Sequence, residues 1–442
     1  MKSEGVRVTR SRNRLFARVS ALLLAAALSV SCRSAGNVGA SAPVASTSRD
    51  GAPAVAKPIV ILVSIDGWRA DYFARFNPKN LRRLAASGVR AEGLIPQFPS
   101  KTFPNHYTLV TGLRLPHHGI VSNNMVDPEL PGRFSMANRE VTKDPRWWAG
   151  EPFWNTVERQ GGVAAAMFWP GSETAINGRQ PTFWMPFDDT LPHEARIARL
   201  LEWLALPEGR QPSFLTLYFS DVDTTGHRYG PDSAEVRAAA AAVDASIGRL
   251  IAGVASAGLA SRVNFVVVSD HGMARVTKDR VIVLDDFIDP QTVDVLDWSP
   301  VLALAPRDGD VERLYRALKG RHPAFDVYRS SEIPAEYGPL AGHPPVPPVV
   351  GIAKEGYAIA SRREFEHWNE PGTPLTNGNH GYDPRRPSMW GLFVASGPGV
   401  ASRGVVKPFE NIHVYDFLCG LLRVQPAPND GDPAVTRSFL RP

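Results

Sequence analysis

Four nearly continuous apolar runs constrain what this chain can fold into more than any other feature of its sequence. They cover residues 58–66, 214–221, 263–270 and 391–397. Runs of this kind are typical of strands that are buried on both faces of a parallel sheet. Helical patterns separate them, at 80–87, 153–160, 193–205 and 233–253. Strands that alternate with helices predict an α/β fold, in which helices cover both faces of a mostly parallel central sheet.

The stretch from about residue 285 to residue 375 differs from the rest of the chain because it is rich in proline and its patterns are weaker. It offers a short strand at 301–304 and a helix at 310–319. We predict that this stretch is a smaller α+β insertion within a folded body that spans residues 58–442, and that it covers part of the sheet edge.

Residues 1–31 combine a basic start, a short apolar run at 19–28 and small residues, which is the pattern of a signal peptide. The run is too short for a comfortable transmembrane helix. Removing the six positive charges and one negative charge of this leader takes the formal net charge from +5 to 0. A body without excess positive charge is not expected to bind nucleic acid stably. Residues 32–57 are rich in Ser, Ala, Gly and Pro, and they predict a flexible tether.

The chain has two cysteines, Cys32 and Cys419. Cys32 closes a segment that resembles a bacterial lipoprotein box, although Ser29 stands where leucine is usual. Lipid attachment to a membrane through Cys32 and ordinary cleavage nearby are both open, so the chain is expected to be exported and either periplasmic or lipid-anchored. Cys419 lies in an apolar segment and is predicted to be buried, which leaves no intramolecular disulfide.

Acidic and histidine side chains follow three of the apolar runs at the point where each run ends. They are Asp66, Asp223, His227, Asp270 and His271, and a later polar motif adds His380. Because ligands bind beyond the carboxyl ends of parallel strands, and because unpaired buried charge is costly, we expect these side chains to share a metal. Carboxylates and imidazoles without thiolates suit zinc, and the six are enough for two ions. Taken singly, each aspartate could be a helix cap or a turn former, and each histidine could be an ordinary surface or core residue.

Thr102 is the candidate nucleophile. Pro104 suits the first turn of a helix, so Thr102 is predicted at or just before the helix start. A hydroxyl in that position is close to free backbone N–H groups and to the positive end of the helix dipole. The alternative is that Thr102 only caps the helix.

The ordered motifs resemble the nucleotide pyrophosphatase/phosphodiesterase family of the alkaline phosphatase superfamily, over residues 59–429. They lie at 66–67, 102–112, 118–120, 168–173, 223–227, 269–272 and 380–382. The resemblance implies an alkaline-phosphatase-like fold and a zinc-dependent hydrolase. Such an enzyme would cleave nucleotide phosphodiester or phosphoanhydride bonds through a phosphothreonine at Thr102.

The resemblance also implies a role for each site residue. One zinc would be held by Asp223, His227 and His380, and the other by Asp66, Asp270 and His271 together with the Thr102 oxygen. Asn123 would donate a hydrogen bond to a phosphoryl oxygen. Phe103 and Tyr218 would line a slot for a nucleobase, and core packing is the alternative for both aromatic side chains.

Three other functions stay open at this point. A phosphodiesterase of the same fold could act on choline or glycerol phosphodiesters, since aromatic side chains also cage quaternary ammonium groups. A phosphomonoesterase is a second alternative. A non-catalytic binding protein is the third, and the intact set of ligands argues against it.

Overall fold

An eight-stranded central sheet organises residues 57–370, 373 and 377–442, the part of the chain that the computed structural model describes. The predicted signal peptide, Cys32 and all but the last residue of the predicted tether lie outside the described residues. The strands are β1 (Ile59–Ile65), β2 (Val89–Ala91), β3 (Leu94–Ile95), β4 (Asn124–Met125), β5 (Phe134–Ser135), β6 (Ala164–Met167), β7 (Phe183–Met185), β8 (Phe214–Phe219), β9 (Val263–Val268), β10 (Ala274–Arg275), β11 (Val281–Val283), β12 (Val293–Asp297), β13 (Val301–Pro306), β14 (Phe325–Arg329), β15 (Val349–Ala353), β16 (Ala358–Ala360), β17 (Gly378–Asn379), β18 (Phe393–Ser396), β19 (Gly404–Val406) and β20 (Phe409–Glu410).

The α-helices of the described residues include all five that the sequence predicts. They are α1 (Tyr72–Phe76), α2 (Lys79–Ser87), α3 (Thr102–Thr111), α4 (Leu115–His118), α5 (Arg139–Thr142), α6 (Phe153–Arg159), α7 (His193–Leu204), α8 (Asp221–Tyr229), α9 (Ala234–Ser256), α10 (Val311–Leu318), α11 (Arg362–Asn369), α12 (Val414–Leu422) and α13 (Pro433–Arg437). Cys419 lies in α12 and is buried, as the sequence predicts.

The central sheet is mostly parallel, as predicted. Its strands run in the order β19, β2, β18, β9, β1, β8, β6 and β7. The strand β1 pairs in parallel with both β8 and β9, and β6 pairs in parallel with β8 and β7. The last apolar run forms β18, which is antiparallel to β9 and β2. Burial on both faces produces the same apolar run in either direction, so the sequence pattern does not reveal the direction of β18.

The side chains of β1 alternate between two cores. Val60 and Leu62 pack into a core that also holds residues of α3, α6 and α12. Ile59, Ile61 and Val63 pack into the core on the other face, which is covered by α2, α7 and α9. Because both faces are covered, the run contains no polar alternation.

The 23-residue α9 covers one face of the sheet. Ser233 caps its start by accepting a hydrogen bond from the Val236 N–H. By length and composition this helix could cross a membrane, but core helices of soluble proteins meet the same criterion. Its buried side chains, such as Val243 and Ile247, pack into the second core, so it occupies the place of a core helix.

A separate four-stranded sheet lies inside the stretch assigned to the α+β insertion. Its order is β12, β13, β15 and β14, and every pairing is antiparallel. Leu302 and Phe325 of this sheet pack with Leu314 of α10 in a third core. That core also includes Tyr382 and Met389, which follow the predicted stretch in sequence. The insertion is therefore anchored to the segment that carries His380.

Candidate active site

The carboxyl ends of three adjacent parallel strands bring the predicted acidic residues together. Asp66 follows β1 directly, and Asp270 follows β9 after one residue. The helix α8 begins just after β8 and carries Asp223 and His227 on one face, four residues apart. Gly67 lies between two of these segments with a φ of 67°, and a Cβ at this position would be 2.8 Å from the Asp223 Cα. Only glycine fits this close approach.

One group of candidate ligands consists of Asp66, Asp270 and His271, which are all buried. The His271 Nε2 atom lies 3.4 Å from Asp66 Oδ1 and 2.9 Å from Asp270 Oδ2. These distances place the three ligand atoms around one point.

A second group surrounds Asp223. The His227 Nε2 atom lies 3.4 Å from Asp223 Oδ2, and the His380 Nε2 atom lies 3.7 Å from Asp223 Oδ1. The ring of His380 stacks on that of His271 at 3.5 Å, so the two groups adjoin. His271 is close enough to Asp223 and His380 to form a cluster with them as well. His227 stands at the outer side of this group, with 32% of its side chain exposed.

The imidazoles are oriented as metal ligands. Each Nδ1 atom donates a hydrogen bond to a backbone carbonyl, so each Nε2 atom keeps its lone pair directed towards the carboxylates. The carbonyl acceptors for His227, His271 and His380 are Gly378 at 2.9 Å, Gly272 at 2.8 Å and Ser100 at 2.9 Å. Burial and the neighbouring imidazoles also lower the pKa of His380 well below its usual value, which keeps this side chain neutral.

The carboxylates also have the features of metal ligands. One buried oxygen on each of Asp66, Asp223 and Asp270 has no hydrogen-bond partner. Burial, together with the charges of Asp270 and Asp223, raises the pKa of Asp66 well above its usual range. Three carboxylates in a buried site are costly without a cation. The residues therefore fit a divalent metal centre.

Thr102 is the first residue of α3, and Lys101 occupies the cap position. The Thr102 hydroxyl faces the candidate metal centre, with Oγ1 at 3.3 Å from His271 Nε2. No side-chain hydrogen bond caps this helix. The hydroxyl is therefore placed as a nucleophile would be, and it is not used as a helix cap.

Asn123 lies beside the nucleophile, on a segment that follows Phe103 by twenty residues. Its side-chain Oδ1 accepts a hydrogen bond from the Phe103 N–H at 2.9 Å. Because Oδ1 faces α3 in this contact, the NH₂ end of the Asn123 amide points away from the helix. The Asn123 NH₂ group is then free to donate to an anionic oxygen next to Thr102.

His106 hydrogen-bonds to the backbone of the nucleophile Thr102, and sequence reasoning assigned it no role. Its Nδ1 donates to the Thr102 carbonyl at 2.9 Å, and its Nε2 accepts from the Ser64 hydroxyl at 2.8 Å. Its ring is fully buried, and burial lowers its pKa. The available signal was its spacing of four residues from Thr102, which puts both side chains on one face of α3.

An aromatic pocket of about 310 Å³ opens beside Thr102. Phe103 and Tyr218 line it, as the resemblance implies, together with Trp169 and Phe187. The Tyr218 hydroxyl donates to Asp66 Oδ2 at 2.6 Å, so this residue contacts a candidate metal ligand as well as the pocket.

Phe187 is a pocket residue that sequence reasoning missed. Its side chain is 40% exposed, and its ring meets that of Tyr218 edge-on at 5.9 Å. The Phe187 N–H donates to Glu173 at 2.8 Å, and Arg139 forms an ion pair with the same carboxylate at 2.6 Å. Because Phe187 lies in an irregular segment, no periodicity in the sequence marks it.

The described residues thus bring the predicted ligands, nucleophile, amide and aromatic side chains into one site. The sequence profile described as "Type I phosphodiesterase / nucleotide pyrophosphatase" matches residues 60–383. The chain belongs to this family.

Relatives of known identity share much of this chain. It is 36% identical over 394 residues to venom phosphodiesterase CdcPDE of Crotalus durissus collilineatus, a match that covers 86% of this chain and 46% of that protein. It is also 36% identical over 396 residues to ectonucleotide pyrophosphatase/phosphodiesterase family member 3 of Rattus norvegicus. That match covers 87% of this chain and 44% of the rat protein. The chain therefore spans about half the length of these curated relatives.

Solved structures of the family have the same fold. Murine ectonucleotide pyrophosphatase/phosphodiesterase 5 superimposes with a TM-score of 0.81 and 34% identity, covering 87% of this chain and all of that chain. The human protein of the same name gives a TM-score of 0.82 and 32% identity, with the same coverage. The alkaline-phosphatase-like fold expected from the resemblance is confirmed.

We expect removal of divalent metal to destabilise this family member, because the clustered carboxylates of Asp66, Asp223 and Asp270 would lose their counter-charge. A ligand at 100 times its Kd stabilises a fold by about 2.7 kcal/mol, so in a folded body of about 385 residues a chelator should lower the midpoint of thermal unfolding by about 3 °C for each ion removed. Zinc should restore the midpoint. The Asp66→Asn/Asp223→Asn double variant, measured in parallel, should respond less. An unchanged midpoint in the chelated wild-type protein would contradict the metal centre.

Proposed function

We propose that this chain is a zinc-dependent phosphodiesterase that hydrolyses nucleotide phosphodiester or phosphoanhydride bonds through a covalent phosphothreonine at Thr102. One observation carries the proposal: the Thr102 hydroxyl lies 3.3 Å from His271, at the junction of the two groups of carboxylates and imidazoles. The membership of a family whose relatives are named phosphodiesterases supports it.

Two groups of residues would hold the zinc ions. One ion would be held by Asp223, His227 and His380. The other would be held by Asp66, Asp270 and His271, with the Thr102 oxygen beside this second group. Bound zinc would supply positive charge that favours the alkoxide of a nearby hydroxyl and stabilises a departing oxygen.

The chain's own groups account for the covalent steps. Thr102 Oγ1 attacks phosphorus, the bond from phosphorus to the leaving alcohol or phosphate breaks, and the hydroxyl proton passes by way of solvent to the departing oxygen. Water then attacks the phosphothreonine, which restores the hydroxyl and releases the nucleotide. The Asn123 amide donates to the nonbridging oxygen, where negative charge accumulates during each step.

The charge around Thr102 favours a diester over a monoester. Lys101 is the cation next to the nucleophile in sequence, and its ammonium group is paired with Asp297 at 2.5 Å. A monoester carries a second negative charge, which a neutralised lysine does little to balance. We therefore propose the diesterase activity over the monoesterase alternative.

The aromatic pocket supports a nucleotide as the substrate. A base can stack on flat rings such as those of Phe103 and Phe187, whereas the sugar and phosphate extend towards Thr102. A murine family member has been solved as an inactive variant in complex with AMP, which is consistent with this choice.

Thr102→Ala should abolish turnover of the nitrophenyl ester of a nucleoside monophosphate, with a fall in kcat of at least about 10³-fold, because no other hydroxyl replaces the nucleophile. The zinc content should stay unchanged. Nitrophenyl phosphorylcholine and nitrophenyl phosphate, tested on the wild-type enzyme, distinguish the lipid-type diesterase and the monoesterase. Full turnover by Thr102→Ala would rule out the covalent route. A zinc-loaded wild-type protein that hydrolyses no phosphoester would rule out the enzyme.

Phe187→Ala should raise KM for the nucleoside ester by about 10-fold and leave kcat within about 3-fold, because base–aromatic stacking is worth roughly 1–3 kcal/mol. The matched control is Met136→Ala, an exposed pocket residue without a ring. An equal KM for Phe187→Ala and the wild type would show that the base binds elsewhere.

We also propose that the chain is exported to the periplasm or the outer face of an envelope membrane. The basic and apolar leader supports export, and Cys32 supports a lipid anchor. Expression of the full chain followed by fractionation should place it outside the cytoplasm. Mass analysis of its mature N-terminus should show either an acylated Cys32 or a cleaved leader. A cytoplasmic protein with an intact leader would contradict the proposal.

A further inference from the structure

The short turn that joins β12 to β13 in the insertion, residues 297–300, touches three segments of the candidate active site. Asp297 is buried, although it ends a strand of a sheet separate from the one that carries the metal ligands. Its carboxylate has four polar contacts, which are with Lys101, Ser122, Asn124 and the backbone of Trp298.

The first contact reaches the residue before the nucleophile. Lys101 Nζ lies 2.5 Å from Asp297 Oδ2, and both side chains are at least nine-tenths buried. Lys101 is also the cap residue of α3, so the position of its side chain constrains where the helix, and with it Thr102, begins. A buried ion pair of this kind is geometrically exacting because neither charge has water as an alternative partner.

The second contact reaches the segment that carries Asn123. Ser122 Oγ donates to Asp297 Oδ2 at 2.5 Å, and Asn124 Nδ2 donates to Asp297 Oδ1 at 3.3 Å. The residues on either side of Asn123 are thus held by the carboxylate that holds Lys101. The two segments are also joined at the site itself, where Asn123 accepts from the Phe103 N–H.

The turn also contacts the segment that carries His380, in this case through Ser299 and Pro300. Ser299 Oγ accepts a hydrogen bond from Asn379 Nδ2 at 3.1 Å. Pro300 packs against the next residue, Gly381, so closely that an added Cβ there would lie 2.9 Å from the proline ring. The 297–300 turn therefore contacts the sequence neighbours of Thr102, Asn123 and His380.

We propose that Asp297 is a positioning residue for the reaction: it fixes the distance between the Thr102 hydroxyl and the Asn123 amide through Lys101, Ser122 and Asn124. This inference rests on the proposed function of the same site. Misplacement of a reacting group by about 1 Å can cost roughly 100-fold in rate, so a carboxylate that never touches substrate has a measurable effect on turnover. The insertion is then part of the catalytic apparatus.

The test uses the full zinc-loaded chain and the nitrophenyl ester of a nucleoside monophosphate. Asp297→Asn should lower kcat by about 10- to 100-fold and change KM by less than about 3-fold, because Asp297 does not touch the aromatic pocket. Its zinc content should equal that of the wild type. The matched control is Asp294→Asn on the same strand, which breaks an exposed ion pair with Arg307 and should leave kcat within about 2-fold.

Two further variants keep the inference testable if Asp297→Asn does not fold. Ser122→Ala removes one contact and leaves the ion pair, and it should lower kcat by about 3- to 10-fold. The Lys101→Met/Asp297→Asn double variant leaves no unpaired buried charge. Its kcat should be no lower than that of Asp297→Asn, because both changes act through one contact.

Some outcomes would overturn the inference alone. With an active wild type and an inactive Thr102→Ala, the inference fails if folded Asp297→Asn keeps kcat within about 2-fold of the wild type. If Asp297→Asn does not fold, the inference fails if both Ser122→Ala and the double variant keep kcat within about 2-fold. It also fails if activity is lost in step with bound zinc, since Asp297 would then serve only to keep the fold intact. Failure of the proposed function is seen separately, as a wild-type protein without turnover or a fully active Thr102→Ala.

Discussion

The structure depends on the cost of collecting buried negative charge at one edge of a sheet. Asp66, Asp223 and Asp270 follow three strands that are hydrogen-bonded neighbours, so their carboxylates cannot avoid one another. Each leaves a buried oxygen without a hydrogen-bond donor. A fold that keeps such a cluster requires positive charge at that edge, and the imidazoles around it are oriented with their Nε2 atoms towards the carboxylates.

The other elements of the site maintain this arrangement in different ways. The tight turn at Gly67 lets α8 approach β1, and the backbone carbonyls fix the three imidazoles. His106 links the first turn of α3 to β1 through Ser64. Ser64 and Gly378 lie on strands, and Gly67 and His380 lie within two residues of a strand end, so much of the arrangement is held by the rigid parts of the fold.

Local sequence was sufficient to predict the position of a site residue where that position follows from the strand or helix next to it. Asp66, Asp223 and Asp270 could be predicted together because buried parallel strands must end at a common edge. The position of Thr102 at the start of α3 could be predicted because Pro104 marks the first turn of a helix. His380 does not follow one of these strands, because it reaches the site through the two-residue pairing of β17 with β10, so only its polar motif and the family resemblance indicated it.

Residues whose place is set by distant segments could not be predicted. Asp297 meets Lys101 across 196 residues, and nothing in the sequence around either of them indicates a partner. Phe187 lies in an irregular loop, where neither helical nor strand periodicity applies. The direction of β18 was hidden for a related reason: the pattern reports burial, and burial is the same for parallel and antiparallel strands.

Tyr218 has a consequence for how this scaffold can diversify. Its ring lines the aromatic pocket, and its hydroxyl donates to the carboxylate of Asp66. A substitution that reshapes this wall of the pocket therefore also removes a hydrogen bond from a candidate metal ligand. The pocket can be reshaped more independently at Phe187, which is 40% exposed and is not one of the candidate metal ligands.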